Sequence, residues 1–231
     1  MMLNLRVAAC IGGVLLSAFG ASAAVAQEST GPGRKIDGSL GLARDPGIAA
    51  ALADIDPAHI RHTDSMLVSF GTRNPFSDTT SQTRGIGAAR RWIHSELDRY
   101  RRDCGDCLRV EYNAKVQEIR RAQRRDTTVR SANIVNVVAW LPGRDTTHAI
   151  VMSGRYDSCV CSAAGIFDSA STAPGADDDG SGSSAVIELA RVFSKRFPKG
   201  LSSSIIFVTV ACGAAGRGTQ PAGPPPPLCG A

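Results

Sequence analysis

An α/β fold, a doubly wound and mostly parallel sheet with flanking helices, follows from three features of the 231-residue sequence. Asn133–Leu141, His148–Gly154 and Ser203–Ala211 are short runs rich in Val, Ile and other apolar residues, as buried strands are. Gly85–Arg102 repeats apolar residues at three- and four-residue steps, the period of an amphipathic helix. His148–Ala211 reads as strand, loop, helix, strand. This is a βαβ crossover, whose two strands are parallel. Sites in such sheets gather at the carboxyl ends of the strands, here residues 155–158 and 212–216.

The chain opens with Arg6, an apolar run from Val7 to Phe19, and small residues ending Ala24-Val25-Ala26. That is the pattern of a secretory signal over residues 1–26, and it implies a secreted or periplasmic protein. The run is short for a bilayer span, contains Gly12 and Gly13, and no later stretch is apolar enough to replace it, so no membrane partner is expected. The net charge of +5 is a mild excess that does not point to nucleic acid. Residues 27–54 read as a disordered leader, 55–211 as one α/β domain, and 212–231, with Pro224–Pro227 consecutive, as an irregular Gly/Pro-rich tail.

Within the domain, Asp56-Pro57 supplies an N-cap and a first-turn proline for a helix running to about Ser69, with Ile60, Met66, Leu67 and Phe70 facing inward. Gly71–Phe76 ends that helix, and residues 74–84 form a polar loop. In the next helix Ile86, Ala89, Ile93, Leu97 and Tyr100 form the apolar face, widened by Trp92, while Arg90, Arg91, Glu96, Arg99 and Arg101 face solvent. A strand over Leu108–Lys115 follows. Arg120, Arg121, Arg124, Arg125 and Arg130 lack interleaved aromatics and read as a solvated hairpin tip rather than a phosphate-binding patch. In the last helix, Ala185–Phe197, the stripe is Val186, Leu189, Ala190 and Phe193. Ser203–Ala211 is expected at an exposed apolar edge, which favours aggregation.

Of the seven cysteines, Cys104 and Cys107 form a C-x-x-C in a turn. A local disulfide is expected there, because no second such pair completes a zinc site and the order helix-then-strand is the reverse of a thioredoxin-like motif. Cys159 and Cys161 are too close to bridge each other. His59, His62, His94 and His148 read as structural or solvated.

The chemistry concentrates at Asp177-Asp178-Asp179, between Pro174-Gly175-Ala176 and a helix start. Three carboxylates on a glycine-flanked turn are suited to a cation. The strand end Arg155-Tyr156-Asp157-Ser158 should face the same cleft.

These residues carry a resemblance. Gly154-Arg155-Tyr156-Asp157-Ser158, followed by Ala173-Pro174-Gly175-Ala176-Asp177-Asp178-Asp179 and then Ser181-Gly182, is similar to the pattern of the co-catalytic zinc aminopeptidases. These are secreted bacterial exopeptidases with a doubly wound α/β fold and two zinc ions. Leu67–Arg73, Arg84–Ile93 and Asn136–Gly143 are similar as well, and the resemblance covers about residues 55–211. It implies a peptide substrate and zinc as cofactor. It makes Asp178 the carboxylate bridging the two metals and Asp157 the acid that orients the first histidine ligand. Asp177 and Asp179 flank the bridging ligand, and Asp179 is alternatively a helix cap.

This chain departs from the pattern. Arg155 stands where the family has that histidine, and a guanidinium has no lone pair to give a metal. Gly213 and Ala214, after Cys212, stand where the family has a glutamate pair, one of which is the general base. The two remaining ligands fall past Ala231, which reads as C-terminal truncation. The expectation is an exported, inactive metallopeptidase-like protein of aminopeptidase descent. The alternative is a non-catalytic remnant that binds peptides or cations. Arg155 is expected to pair with Asp157 or Asp178 and replace the missing cation charge.

Overall fold

A computed structural model describes residues 45–120, 128–160 and 167–211. The segment expected to be a signal peptide, the expected leader as far as residue 44, and the Gly/Pro-rich tail lie outside these residues. Three helices come first: α1 (Pro46–Ala53), α2 (Pro57–Ser69) and α3 (Gly85–Asp103). Strands β1 (Arg109–Arg120), β2 (Val129–Leu141) and β3 (Asp145–Arg155) follow, then α4 (Ser181–Arg196) and β4 (Ser203–Val210).

The expected irregular leader is corrected over residues 46–53, which form α1. Asp45 caps this helix, accepting from the Gly47 and Ile48 amides at 2.7 and 3.1 Å, and Pro46 occupies the first turn. The segment is rich in alanine, the best helix former, and Ala51 is buried in the core. Asp56 caps α2 in the same way, with the Ala58 amide at 2.8 Å. In α3 the buried residues include Ile86, Ala89, Ile93, Leu97 and Tyr100, the stripe its periodicity predicts. A disulfide joins Cys104 and Cys107 just after it.

The four strands form one sheet in the order β1-β2-β4-β3. β1 and β2 pair antiparallel from Arg109↔Trp140 to Arg120↔Val129, so β1 runs five residues past its expected end at Lys115. β2 also runs antiparallel to β4, while β3 and β4 are parallel, as the crossover predicts. The α/β class holds, but the sheet is mixed rather than mostly parallel among the described strands. Hairpin pairing fixes β1 against β2, and β2 then enters the sheet opposite in direction to the crossover strands. This order also corrects the expected edge. Among the described strands β4 is interior, between β2 and β3, and β1 and β3 lie at the ends of the order.

The core lies between one face of the sheet and the helices. Val137, Ala139 and Leu141 of β2 pair with Thr209, Phe207 and Ile205 of β4, and all six are buried. Phe193 of α4 meets Phe207 edge-on, with ring centroids 6.3 Å apart. His94 of α3 stacks on Tyr112 of β1 at 4.5 Å on the same side of the sheet. Among the described residues the helices lie on this face, with α1 and α2 packed on α4. The second helical layer of a doubly wound fold is not among them. Arg130 is exposed near the β1–β2 hairpin end, and its guanidinium lies over the rings of Phe76 and Phe167, at 4.9 and 5.6 Å, while Arg121, Arg124 and Arg125 lie outside the described residues. No described helix is long and apolar enough to cross a membrane.

One glycine fixes how closely the crossover packs. A Cβ at Gly154 would sit 2.5 Å from the Gly182 carbonyl carbon and 2.6 Å from the Ser183 amide nitrogen. The end of β3 therefore lies directly on the first turn of α4. Gly154→Ala should destabilise the protein by about 1–3 kcal/mol, the usual cost of overpacking, read as a lower urea midpoint with an unchanged slope.

Candidate functional site

Arg73 builds the site from below. Its side chain is fully buried and donates to four main-chain carbonyls. Nε reaches Tyr156 at 2.6 Å, Nη1 reaches Leu67 at 2.7 Å and Pro174 at 2.6 Å, and Nη2 reaches Gly175 at 2.8 Å. One planar guanidinium thus ties the last turn of α2, the chain just past β3, and the approach to the acidic turn. Ser158 supports it: its Oγ accepts from the Arg73 amide at 2.9 Å and donates to the Ala173 carbonyl at 2.7 Å. Burial pulls the Arg73 pKa down to about 10, against the carboxylates of Asp157 and Asp64, which favour the charged form. Arg73 is therefore still a cation at neutral pH.

Gly175 starts the acidic turn with φ at +50°, a left-handed conformation that glycine adopts without strain. A Cβ there would fall 2.6 Å from the Ser158 Cβ. The Gly180 amide closes the turn on the Gly175 carbonyl at 3.0 Å. Within it Asp178 and Asp179 leave helical geometry, with φ/ψ of −113°/91° and −131°/42°. Their carboxylates turn toward the end of β3. The Arg155 guanidinium forms an ion pair with Asp178, and the Arg155 amide donates to Asp179 Oδ2 at 2.8 Å.

The structure thus brings Arg155, Asp178 and Asp179 together. Asp178 is half exposed, and only 18 % of the Arg155 side chain is accessible. Of the two partners considered for Arg155, Asp178 is the one in contact. The cap reading of Asp179 is corrected: α4 has no side-chain cap hydrogen bond, and Asp179 serves the edge of β3 instead. Asp177 is exposed. Asp157 is fully buried, and its charge acts on Arg73. Cys212, Gly213 and Ala214 lie outside the described residues. The four histidines lie elsewhere: His59 is 3.7 Å from Glu188, His62 meets Trp92 edge-on, His94 stacks on Tyr112, and His148 Nδ1 is 2.7 Å from Asp145.

Two residues of the site had no role in the sequence reading. Arg73 follows a helix end inside a polar stretch, where nothing in the local pattern marks it as buried. Asp64 carried a signal: Ile60, Asp64 and Leu67 follow helical spacing, which puts an acid on the apolar stripe of α2. Its Oδ1 is buried without a hydrogen-bond partner. Its pKa is raised by burial, with Arg73 opposing the shift and Asp177 adding to it.

A strand end and an acidic turn thus meet at a βαβ crossover, with Arg155 facing Asp178 and Asp179. Residues 136–214 match Peptidase family M28. The chain is 42 % identical over 168 residues to a protein of Pyricularia oryzae named "Probable zinc metalloprotease", covering 72 % of this chain and 31 % of that one. A zinc metalloprotease of the same designation from Leptosphaeria maculans is 40 % identical over 176 residues, covering 74 % and 38 %. The chain thus spans about a third of the length of these curated relatives. A leucine aminopeptidase precursor of Bacteroides thetaiotaomicron of known structure is 17 % identical, covering 67 % of this chain and 46 % of that one, with a TM-score of 0.47. That likeness is too distant to bear on activity. The chain is a relative of the M28 metallopeptidases, as its motifs implied.

Two outcomes test the site's physics. Arg73→Met strands four carbonyls, and Arg73→Lys lacks the planar fork. Stability should fall in the order wild type, Lys, Met, with Met costing about 3–5 kcal/mol, measured by denaturant unfolding. Because its folded pKa is raised, Asp64 takes up its proton at higher pH in the folded than in the unfolded chain. As pH falls from about 7 to about 4, wild type should therefore gain stability relative to Asp64→Asn, measured by urea unfolding of both at each pH.

Proposed function

We propose that this is an exported protein of aminopeptidase descent that does not itself hydrolyse peptides. Metallopeptidase character rests on the M28 match and the zinc metalloprotease relatives. The aminopeptidase assignment rests on the Tyr156-Asp157-Ser158 strand end and the Asp177-Asp178-Asp179 turn. Export rests on the signal-like pattern of residues 1–26.

The observation that carries the loss of activity is the ion pair of Arg155 with Asp178. A catalytic zinc needs about three protein donors and an open position. Among the described residues, no three His, Cys, Asp or Glu side chains are gathered to hold a metal. Asp178, the residue that would bridge two ions, is engaged by a fixed cation. The described residues therefore do not fit a two-zinc centre. The guanidinium of Arg155 neutralises the acidic turn from within the chain, through a charge-assisted contact.

Elemental analysis and an aminoacyl-nitroanilide assay, both on full-length protein purified with zinc present, test this directly. The expected result is substoichiometric zinc and no turnover above background, in wild type and in Arg155→His alike. Near-stoichiometric zinc, or turnover that disappears in Asp178→Ala, would overturn the proposal.

A further inference from the structure

Tyr100 carries an unmet donor in the interior. Its side chain is only 5 % exposed, and its hydroxyl makes no hydrogen bond among the described residues. A buried tyrosine hydroxyl normally finds a partner. Burial raises its pKa to about 12, so it keeps its proton at neutral pH. Tyr100 lines a pocket of about 180 Å³ between α2, α3 and α4, with His59, Arg99, Asp103, Arg191 and Lys195.

This pocket is remote from the acidic turn. The turn adjoins Ser181 at the start of α4, and Lys195 lies about 20 Å further along the helix at the α-helical rise. It is also remote from the breaks in the described chain. Residues 121–127, 161–166 and 212–231 join that chain at the β1–β2 hairpin tip and past the carboxyl ends of β3 and β4. The pocket lies by the opposite end of the sheet, where Arg109 pairs with Trp140 shortly after Cys104.

The acceptors around the pocket are already engaged. Glu188 holds Arg191 through both carboxylate oxygens, at 2.6 and 2.8 Å, and accepts from the Asp56 amide at 2.8 Å. Asp54 pairs with Arg196. Asp103, the one acid lining the pocket, lies 3.5 Å from Arg99, which also holds Glu96 at 2.6 Å. The carbonyls of Tyr100, Arg101 and Arg102 at the end of α3 accept from the amides of Cys104, Asp106 and Gly105. The groups left over are donors. They are the Tyr100 hydroxyl, Nη1 of Arg191 and Nζ of Lys195, none of which has a partner among the described residues. Arg191 is also fixed in place, because its other two nitrogens bind Glu188 and the Asp54 carbonyl.

Three unmet donors around one pocket, two of them cationic, call for a ligand that only accepts and is negatively charged. We infer that this pocket binds a small oxyanion, a carboxylate or phosphate group, through Tyr100, Arg191 and Lys195. The volume exceeds what a single water needs and suits an ion of that size. Such an ion bridges α3 and α4 and leaves the pair of Arg155 and Asp178 untouched.

Calorimetric titration of the full chain with sodium acetate and with sodium phosphate, each against sodium chloride at equal ionic strength, tests this. At least one oxyanion should bind saturably, one per chain, and raise the melting temperature. Which of the two binds distinguishes a carboxylate ligand from a phosphate. Tyr100→Phe, which removes only the hydroxyl, and Lys195→Gln should each weaken binding about tenfold while keeping the wild-type far-UV spectrum. Lys199→Gln, outside the pocket, should bind as wild type does. No saturable binding of either ion, as when another part of the chain fills the pocket, would overturn the inference. So would binding undiminished in both Tyr100→Phe and Lys195→Gln, the result expected of an ion held elsewhere on the surface.

Discussion

The buried guanidinium of Arg73 is the constraint on which the site's shape depends. Burying a cation costs several kcal/mol unless it is fully hydrogen-bonded and balanced by charge. Here four carbonyls and two nearby carboxylates meet that demand. The carbonyls belong to segments far apart in sequence: the end of α2, the residue after β3 and the start of the acidic turn. None of the three can shift without leaving a donor of Arg73 unpaired. The turn bearing Asp177, Asp178 and Asp179 is thus held by its backbone from beneath, leaving the Asp178 and Asp179 side chains to face β3. The glycine at 175, where a side chain would meet Ser158, completes the fit.

Much of this was legible in the sequence because it is local. Asp56-Pro57 marks the start of α2 by capping chemistry alone. The stripe from Ile86 to Tyr100 fixes which face of α3 is buried. The apolar strands flanking α4 announce a crossover, and β3 and β4 are indeed parallel. Boundaries were less legible. β1 runs to Arg120 because its partner β2 holds it in a hairpin, although most of β1 is exposed and its apolar pattern fades near Lys115. α1 has only eight residues and too little period to show; its signal was the Asp45-Pro46 cap.

What sequence could not supply was long-range pairing. No property of Ser203–Ala211 reveals that β2 lies along its other side, so an apolar strand late in the chain looked like an edge. The roles of Arg73 and Asp64 are similar: each depends on segments brought together from distant positions. By contrast, Arg155 could be placed opposite the acidic turn from sequence, because both lie at the same end of one crossover. The choice of Asp178 over Asp157 then depends on burial. Asp157 points into the interior toward the charge of Arg73, and Asp178 faces the half-open cleft where Arg155 arrives.

Asp179 links the acidic turn to the sheet edge. The amide of an outward-facing residue on an edge strand normally looks for water or another strand. At Arg155 that amide is taken by the Asp179 carboxylate, while the side chain of the same residue engages Asp178. A single residue at the end of β3 thus receives two carboxylates from one turn, through its backbone and through its side chain. A histidine at position 155 could still offer its amide to Asp179, because that contact uses only the main chain. It could not supply a permanent positive charge to Asp178. The arginine therefore changes the electrostatics of the turn and leaves its anchoring to the sheet intact. This is how the geometry of a metallopeptidase-like crossover can persist in a chain whose described residues do not assemble a metal centre.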